Sequence, residues 1–134
     1  MQSQQLSLVT NKLVMSEKQP RLGISDAGNL MIELTEQIME NGPKTISIND
    51  RQIRFATTLL IFHYEIAGRE ATVTELRKVL EFSDNYLRER LSKLVAADLI
   101  SIKIVPGPMT DGPRKTYAYI LSDQLVAATL ARRV

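Results

Sequence analysis

Apolar residues recur every third or fourth position along most of this chain and every second position in two short stretches near its end. Those two periods lay out the elements. Within residues 25–41, Leu30, Leu34 and Ile38 lie four apart with Met31 beside them. Ser25 or Asp26 can cap the start and Asn41-Gly42-Pro43 stops it, so a helix of about four turns is predicted. "KTISIND" reads as a short extended lead into the next helix, where Asn49 and Gln52 resemble a capping box and Gly68 closes the far end. That helix is apolar along two stripes, Phe55-Leu59-Phe62-Ile66 and Ile53-Ala56-Leu60-Ala67. A helix apolar on more than one side is expected at the centre of a domain.

Two helices follow with almost no gap. Thr72 and Glu75 form a capping box for the first, whose inner face is Leu76, Val79 and Leu80 and which ends near Glu81. Ser83 offers the next N-cap, with Asp84 at the positive end of a second helix that runs to about Ala97. Its inner face is Leu87, Leu91, Leu94 and Val95. Helices joined by about three residues must cross steeply, which is helix-turn-helix geometry. "LISIKIV" then alternates as a strand, with Ile100, Ile102 and Ile104 on one side. A Pro- and Gly-rich loop, "PGPMTDGPRK", leads to a second alternating strand, "TYAYILS", with Tyr117, Tyr119 and Leu121 on one face. Ser122 or Asp123 caps a terminal helix through "DQLVAATLARRV".

The predicted fold is therefore mainly α with a small β-hairpin, an α+β arrangement with extra N-terminal and C-terminal helices. Residues 1–23 read as a loosely ordered arm and 24–134 as one domain. Within it, 24–42 is an accessory helix, 49–122 the helix-turn-helix core and 123–134 the C-terminal helix. A length of 134 residues and 44% hydrophobic content suit one ordinary domain with a real core. The chain has no cysteine, which removes disulfides and thiolate metal sites. "MQSQQLSLVTNK" lacks the order of a secretion signal, and no apolar run reaches the roughly 18 residues of a membrane span. A cytoplasmic protein is expected, with no membrane partner.

Charge adds little. The net charge is +2; residues 1–49 hold four Lys or Arg against five Asp or Glu, and residues 75–115 hold eight against six. The helix-turn-helix half is only slightly the more positive. One histidine, no glycine-rich phosphate loop and no H-E-x-x-H pattern leave no basis for catalysis, and no cofactor is expected. His63 reads as structural or partly exposed.

The order helix, helix, turn, helix, strand, basic loop, strand resembles a winged helix-turn-helix. Residues 71–122 are similar to the DNA-binding module of MarR-like transcriptional regulators in the broad sense. "TVTEL" enters the second helix, "FSDNYLRERLSKLVAADLI" covers the recognition helix and the lead into the hairpin, and "DGPRKTYAYILSDQ" forms the wing. Leu121, Ser122 and Asp123 stand where such wings end in a helix cap. Glu81 and Asp98 stand where these families often carry glycine, and both positions tolerate it as caps or with positive φ. The resemblance implies sequence-specific binding of double-stranded DNA, with helix 83–97 in the major groove and the wing, 105–116, on the minor groove or backbone. Nucleoid association and transcriptional regulation follow from it, and control by a small-molecule effector is conceivable though no pocket-forming set of residues names one.

The outward face of helix 83–97 carries side chains suited to that task. Asn and Arg make paired hydrogen bonds to adenine and guanine, and Glu accepts from cytosine. Asn85, Tyr86, Arg88 and Glu89 are the base-reading candidates, and Arg90 and Lys93 the phosphate contacts. Arg114 and Lys115 at the wing can reach a minor groove, and the Ser83 hydroxyl can donate to phosphate although a cap already explains it. Two other functions stay open: a winged-helix protein-interaction adaptor, and a DNA-binding protein for plasmid or viral segregation or replication. Arg88, Arg90 and Lys93 favour DNA over an adaptor, whose outer helix face tends to be apolar or acidic. Two half-sites about one helical turn apart call for a homodimer. Leu30, Leu34 and Ile38, with Leu125, Val126 and Leu130, are the expected surface between copies; packing back onto their own domain is the alternative.

Overall fold

Steric and capping signals settle where each helix begins. In the computed structural model, which describes residues 21–40, 46–106 and 115–133, helix α1 spans Ala27–Leu34. A 3-10 turn, Ile24–Asp26, precedes it and a π-helical segment, Thr35–Glu40, follows. Asp26 holds the N-cap position of α1 but makes no side-chain cap bond there; its carboxylate reaches back to accept from the Gly23 N–H at 2.8 Å. The widening into a π-helix starts where the Thr35 hydroxyl donates to the Met31 carbonyl at 2.8 Å and competes with the backbone ladder. The expected arm lies outside the described residues except for Arg21, Leu22 and Gly23, and Leu22 is buried in the core.

Helix α2, Ile48–Ile66, starts earlier than the sequence pattern suggests. Ser47, not Asn49, is its cap, accepting from the Asp50 N–H at 3.0 Å. The face it buries also differs from either apolar stripe. Thr57, Thr58, Ile61, Phe62 and Tyr64 are buried, whereas Phe55, Leu59, Ile66, Ile53 and Leu60 are half-buried and Ala56 and Ala67 exposed. Two threonines can occupy the buried line because each hydroxyl donates to a carbonyl one turn back, Ile53 at 2.7 Å and Arg54 at 2.8 Å. Arg51 donates to the Met39 and Ile46 carbonyls and ties the end of the π segment to the start of α2.

A two-residue strand β1, Ala71–Thr72, comes next and went unpredicted. Helix α3 is Val73–Leu80 and helix α4 is Asp84–Ala96, capped as expected by Thr72 and Ser83. Val79, expected inside, is exposed; Val73 takes the buried place beside Leu76. Strands β2, Ile100–Pro106, and β3, Lys115–Leu121, pair antiparallel, and β1 adds to the other edge of β3, giving the order β1-β3-β2. Helix α5, Asp123–Leu130, is capped by Ser122, whose hydroxyl also donates to the Asp98 carbonyl at 2.6 Å. The architecture is the expected α+β winged helix with added terminal helices.

The core joins α1 and α5 to the helix-turn-helix without a break. Leu30, Leu34, Ile38 and Leu125 are buried within the single chain, against Ile61, Leu76, Leu87, Leu91, Leu94 and Leu121 in one cluster. These four side chains are therefore not a surface between copies. The reason is local: α5 packs on α1, and ion pairs from beyond α5 fasten the two. Val126 and Leu130 are half-buried at the edge of the same cluster. Arg132 meets Glu33 at 2.6 Å and Glu36 at 2.9 Å, and Arg133 grips both oxygens of Asp26 at 2.8 and 2.7 Å. The Arg133 guanidinium, with the Gly23 N–H, holds the Asp26 carboxyl down to about 2 despite its burial. Among the described residues no helix is long and apolar enough to cross a membrane, and no cluster of three potential metal ligands occurs.

Candidate nucleic-acid interface

Helix α4 owes its placement to three leucines and two caps. Leu87, Leu91 and Leu94 are fully buried, which fixes the side of the helix that points away from the domain. Ser83 accepts from the Tyr86 N–H at 3.2 Å and starts the helix in three residues after α3 stops. The stop needs a left-handed residue, and Glu81 supplies it at φ 58°. Asp98 at φ 62° does the same between α4 and β2. Glu and Asp thus hold the two positions where glycine would cost least.

The outward face carries Asn85, Arg88, Glu89, Ser92 and Lys93, all exposed, and Ser83 is exposed at the turn. The structure brings these six together on one surface. Arg88 pairs with Asp84 at 3.0 Å, and Arg77 reaches the same carboxylate at 3.6 Å. Exposed pairs of this kind contribute little and re-form readily, so Asp84 does not hold Arg88 in one place.

Tyr86 and Arg90 belong elsewhere. Both turn toward α2 on the flank of α4. The Tyr86 ring packs on Phe82 at 5.0 Å between centroids, and the Arg90 guanidinium lies over Tyr86 at 4.2 Å. Arg90 pairs with Asp50 at 2.7 Å and Glu89 at 3.1 Å, and its side chain is only 14% exposed. The expected phosphate contact from Arg90 is therefore corrected: its charge is spent inside the protein. Tyr86 likewise faces a shallow depression lined by Asn49, Gln52, Ile53, Ala56, Leu80 and Phe82.

The hairpin stands beside the other flank of α4. Ile100 pairs with Leu121, Ile102 with Tyr119 and Ile104 with Tyr117, so one face runs from the core outward to the wing. Ile100, Tyr119 and Leu121 are buried; Ile102, Ile104 and Tyr117 are 48%, 56% and 51% exposed. Burial pushes the Tyr119 phenol up, and the positive charge of Arg88 partly offsets it. On the opposite face Lys103 pairs with Glu70 at 3.5 Å. Lys115 opens β3 opposite Pro106, while Arg114 and the loop 107–114 lie outside the described residues.

Asp50 escaped the sequence reading as a partner of α4, and Arg54 as the second arginine on Asp50. Their own spacing of four residues was visible, but the reach from Asp50 to Arg90 depends on how α2 and α4 cross. His63, as expected, is partly solvent-facing at the end of α2.

No family model matches the chain, and no curated protein matches its sequence. Among solved structures it is similar to apo wild-type MarR from E. coli, at 20% identity and a TM-score of 0.44, over 80% of this chain and 67% of that one.

Proposed function

We propose that this chain binds double-stranded DNA and acts as a transcriptional regulator, with α4 in the major groove and the hairpin on the neighbouring minor groove or backbone. One observation carries the reading. A helix held from behind by three buried leucines presents Asn85, Arg88, Glu89, Ser92 and Lys93 together on an exposed face, directly beside a hairpin. A groove about 12 Å wide admits such a helix, and these residue types match base edges and phosphates. Ser83 stands at the helix start, where a hydroxyl meets the DNA backbone. Arg114 and Lys115 supply charge at the wing.

Two copies of the chain belong to this reading, because one winged helix covers few base pairs. With the leucine stripe of α1 used inside the chain, contact between copies falls to side chains left outside the core. The protein is not read as an enzyme.

An adaptor function has one observation in its favour. The apolar patch of Ile102, Ile104 and Tyr117 on the wing is unusual on a surface meant for phosphates. Salt dependence separates the two. Binding to random-sequence duplex DNA should weaken steeply as salt rises; Lys93→Ala should lower the log–log slope by about 1 for its lost phosphate contact, and Arg88→Ala, at a base-reading position, should flatten the preference among sequences. Absence of binding at low salt would put the adaptor function first.

A further inference from the structure

We propose that Arg90 and Asp50 form a positioning element that sets the fine rotation of α4 about its own axis, and thereby the exact angle at which its outward side chains are presented. Three leucines on one stripe fix which side of α4 faces the core, but apolar contacts are non-directional and leave the exact angle free within that limit. A charged contact on one flank removes that freedom. Asp50 sits in the first turn of α2, its carboxylate between Arg54 at 2.9 Å and Arg90 at 2.7 Å, and the three side chains are only 11–14% exposed. The Nε–H of each arginine points off the line to its oxygen, so the contacts are close charge pairs and not aligned hydrogen bonds. Among the described residues neither arginine has a second buried carboxylate to turn to. Glu89, which also meets Arg90, is 60% exposed.

Stacking fixes the remaining freedom of Arg90. Its guanidinium plane covers Tyr86, and Tyr86 rests on Phe82 in the turn between α3 and α4. A continuous set of contacts thus runs from α2 through Arg90 to the turn that launches α4. Arg90 is one position from Glu89 and two from Arg88, about 100° and 200° around the helix. Any rotation that loosens Arg90 therefore swings Asn85, Glu89 and Ser92 by the same angle. This residue acts through others and touches no base or phosphate.

Rotation can be measured without DNA. Residual dipolar couplings of the backbone amides report how α4 sits against α2 in the wild type, in Arg90→Lys and in Arg90→Met. Lysine keeps the positive charge but lacks the planar fork and the stacking surface. In both variants the α4 couplings are expected to fit a rotated helix while α2 and the sheet keep their wild-type values. If Arg90→Met does not fold, Arg90→Lys alone carries the test. Wild-type couplings in a folded Arg90→Lys variant, with or without a lower unfolding temperature, overturn the proposal.

The consequence for binding rests on the DNA reading. In a duplex-binding assay Arg90→Lys should lose about tenfold in preference for the best sequence over others, the scale of one misread base pair, with the salt slope unchanged. Asp50→Asn, placed away from the DNA face, should shift the preferences in the same way. A fall of about 1 in the slope for Arg90→Met identifies a phosphate contact instead and overturns positioning. If the wild type binds no duplex, the DNA reading falls and the couplings alone decide the role of Arg90.

Discussion

Helices α1 and α4 are built alike on the inside and differently on the outside. Each buries leucines completely, Leu30 and Leu34 in one and Leu87, Leu91 and Leu94 in the other. Each is also fastened sideways by a carboxylate–arginine contact from a distant element, Asp26 with Arg133 and Asp50 with Arg90. The outer faces diverge. That of α1 and the turn before it shows Ile24, Met31 and Ile32, at 77%, 46% and 45% exposure, and that of α4 shows Asn85, Arg88, Glu89, Ser92 and Lys93. Inner faces record the fold that two helices share. Outer faces record what each can meet: the α4 face offers hydrogen bonds and charge, and the α1 face offers apolar area beside a few polar groups such as Ser25 and Thr35.

If the inner faces are equivalent, Leu34→Ala and Leu91→Ala should each cost about 2–5 kcal/mol, read from urea unfolding. A loss confined to Leu91→Ala would mean that α1 is an appendage and not part of one core. The lateral contact of α1 is tested by pH. The folded Asp26 carboxyl lies near 2, below its ordinary value of 3.8, so its stabilisation is present above about pH 4 and lost as pH falls through 2. The difference in stability between wild type and Asp26→Asn should therefore be full at neutral pH and vanish across that acid window. An unchanged difference down to pH 2 would place the origin of the effect elsewhere than in the charge pair. Outer faces should give the smallest stability effects. Arg88→Ala and Lys93→Ala should stay within about 0.5 kcal/mol in unfolding while DNA affinity drops. Met31→Ser with Ile32→Ser should leave DNA affinity at wild type, and any concentration-dependent change in sedimentation would assign the α1 face to contact between copies.

Local signals made the helix-turn-helix readable. Thr72 and Ser83 announce two helix starts eleven residues apart, and the hairpin alternation is plain from Ile100 to Leu121. Glu81 and Asp98 were correctly tolerated where left-handed backbone is needed. What failed to show was whatever depends on a distant partner. Strand β1 is two residues long, too short for any period, and exists because Ala71 and Thr72 pair with Tyr119 and Ala118. The apolar stripes of α2 misled because Thr57 and Thr58 satisfy their hydroxyls within the helix and take the buried line. Arg90 looks like its neighbour Arg88 in sequence, and only the crossing of α2 with α4 distinguishes a buried arginine pair from an exposed one. The leucine stripe of α1 was recognised as needing cover, but α5 from the same chain provides it.

The grip of Arg133 on Asp26 spans 107 residues of chain. A ribosome adds about 5–20 residues each second, so roughly 5–20 s separate the appearance of α1 from that of the arginines and the helix that cover it. Throughout that interval Leu30, Leu34 and Ile38 lack the α5 side chains that join them in the finished core. The cover of α1 is thus among the last described parts of the chain to be made, and the docking of its leucines is completed only once α5 has followed the hairpin out of the ribosome.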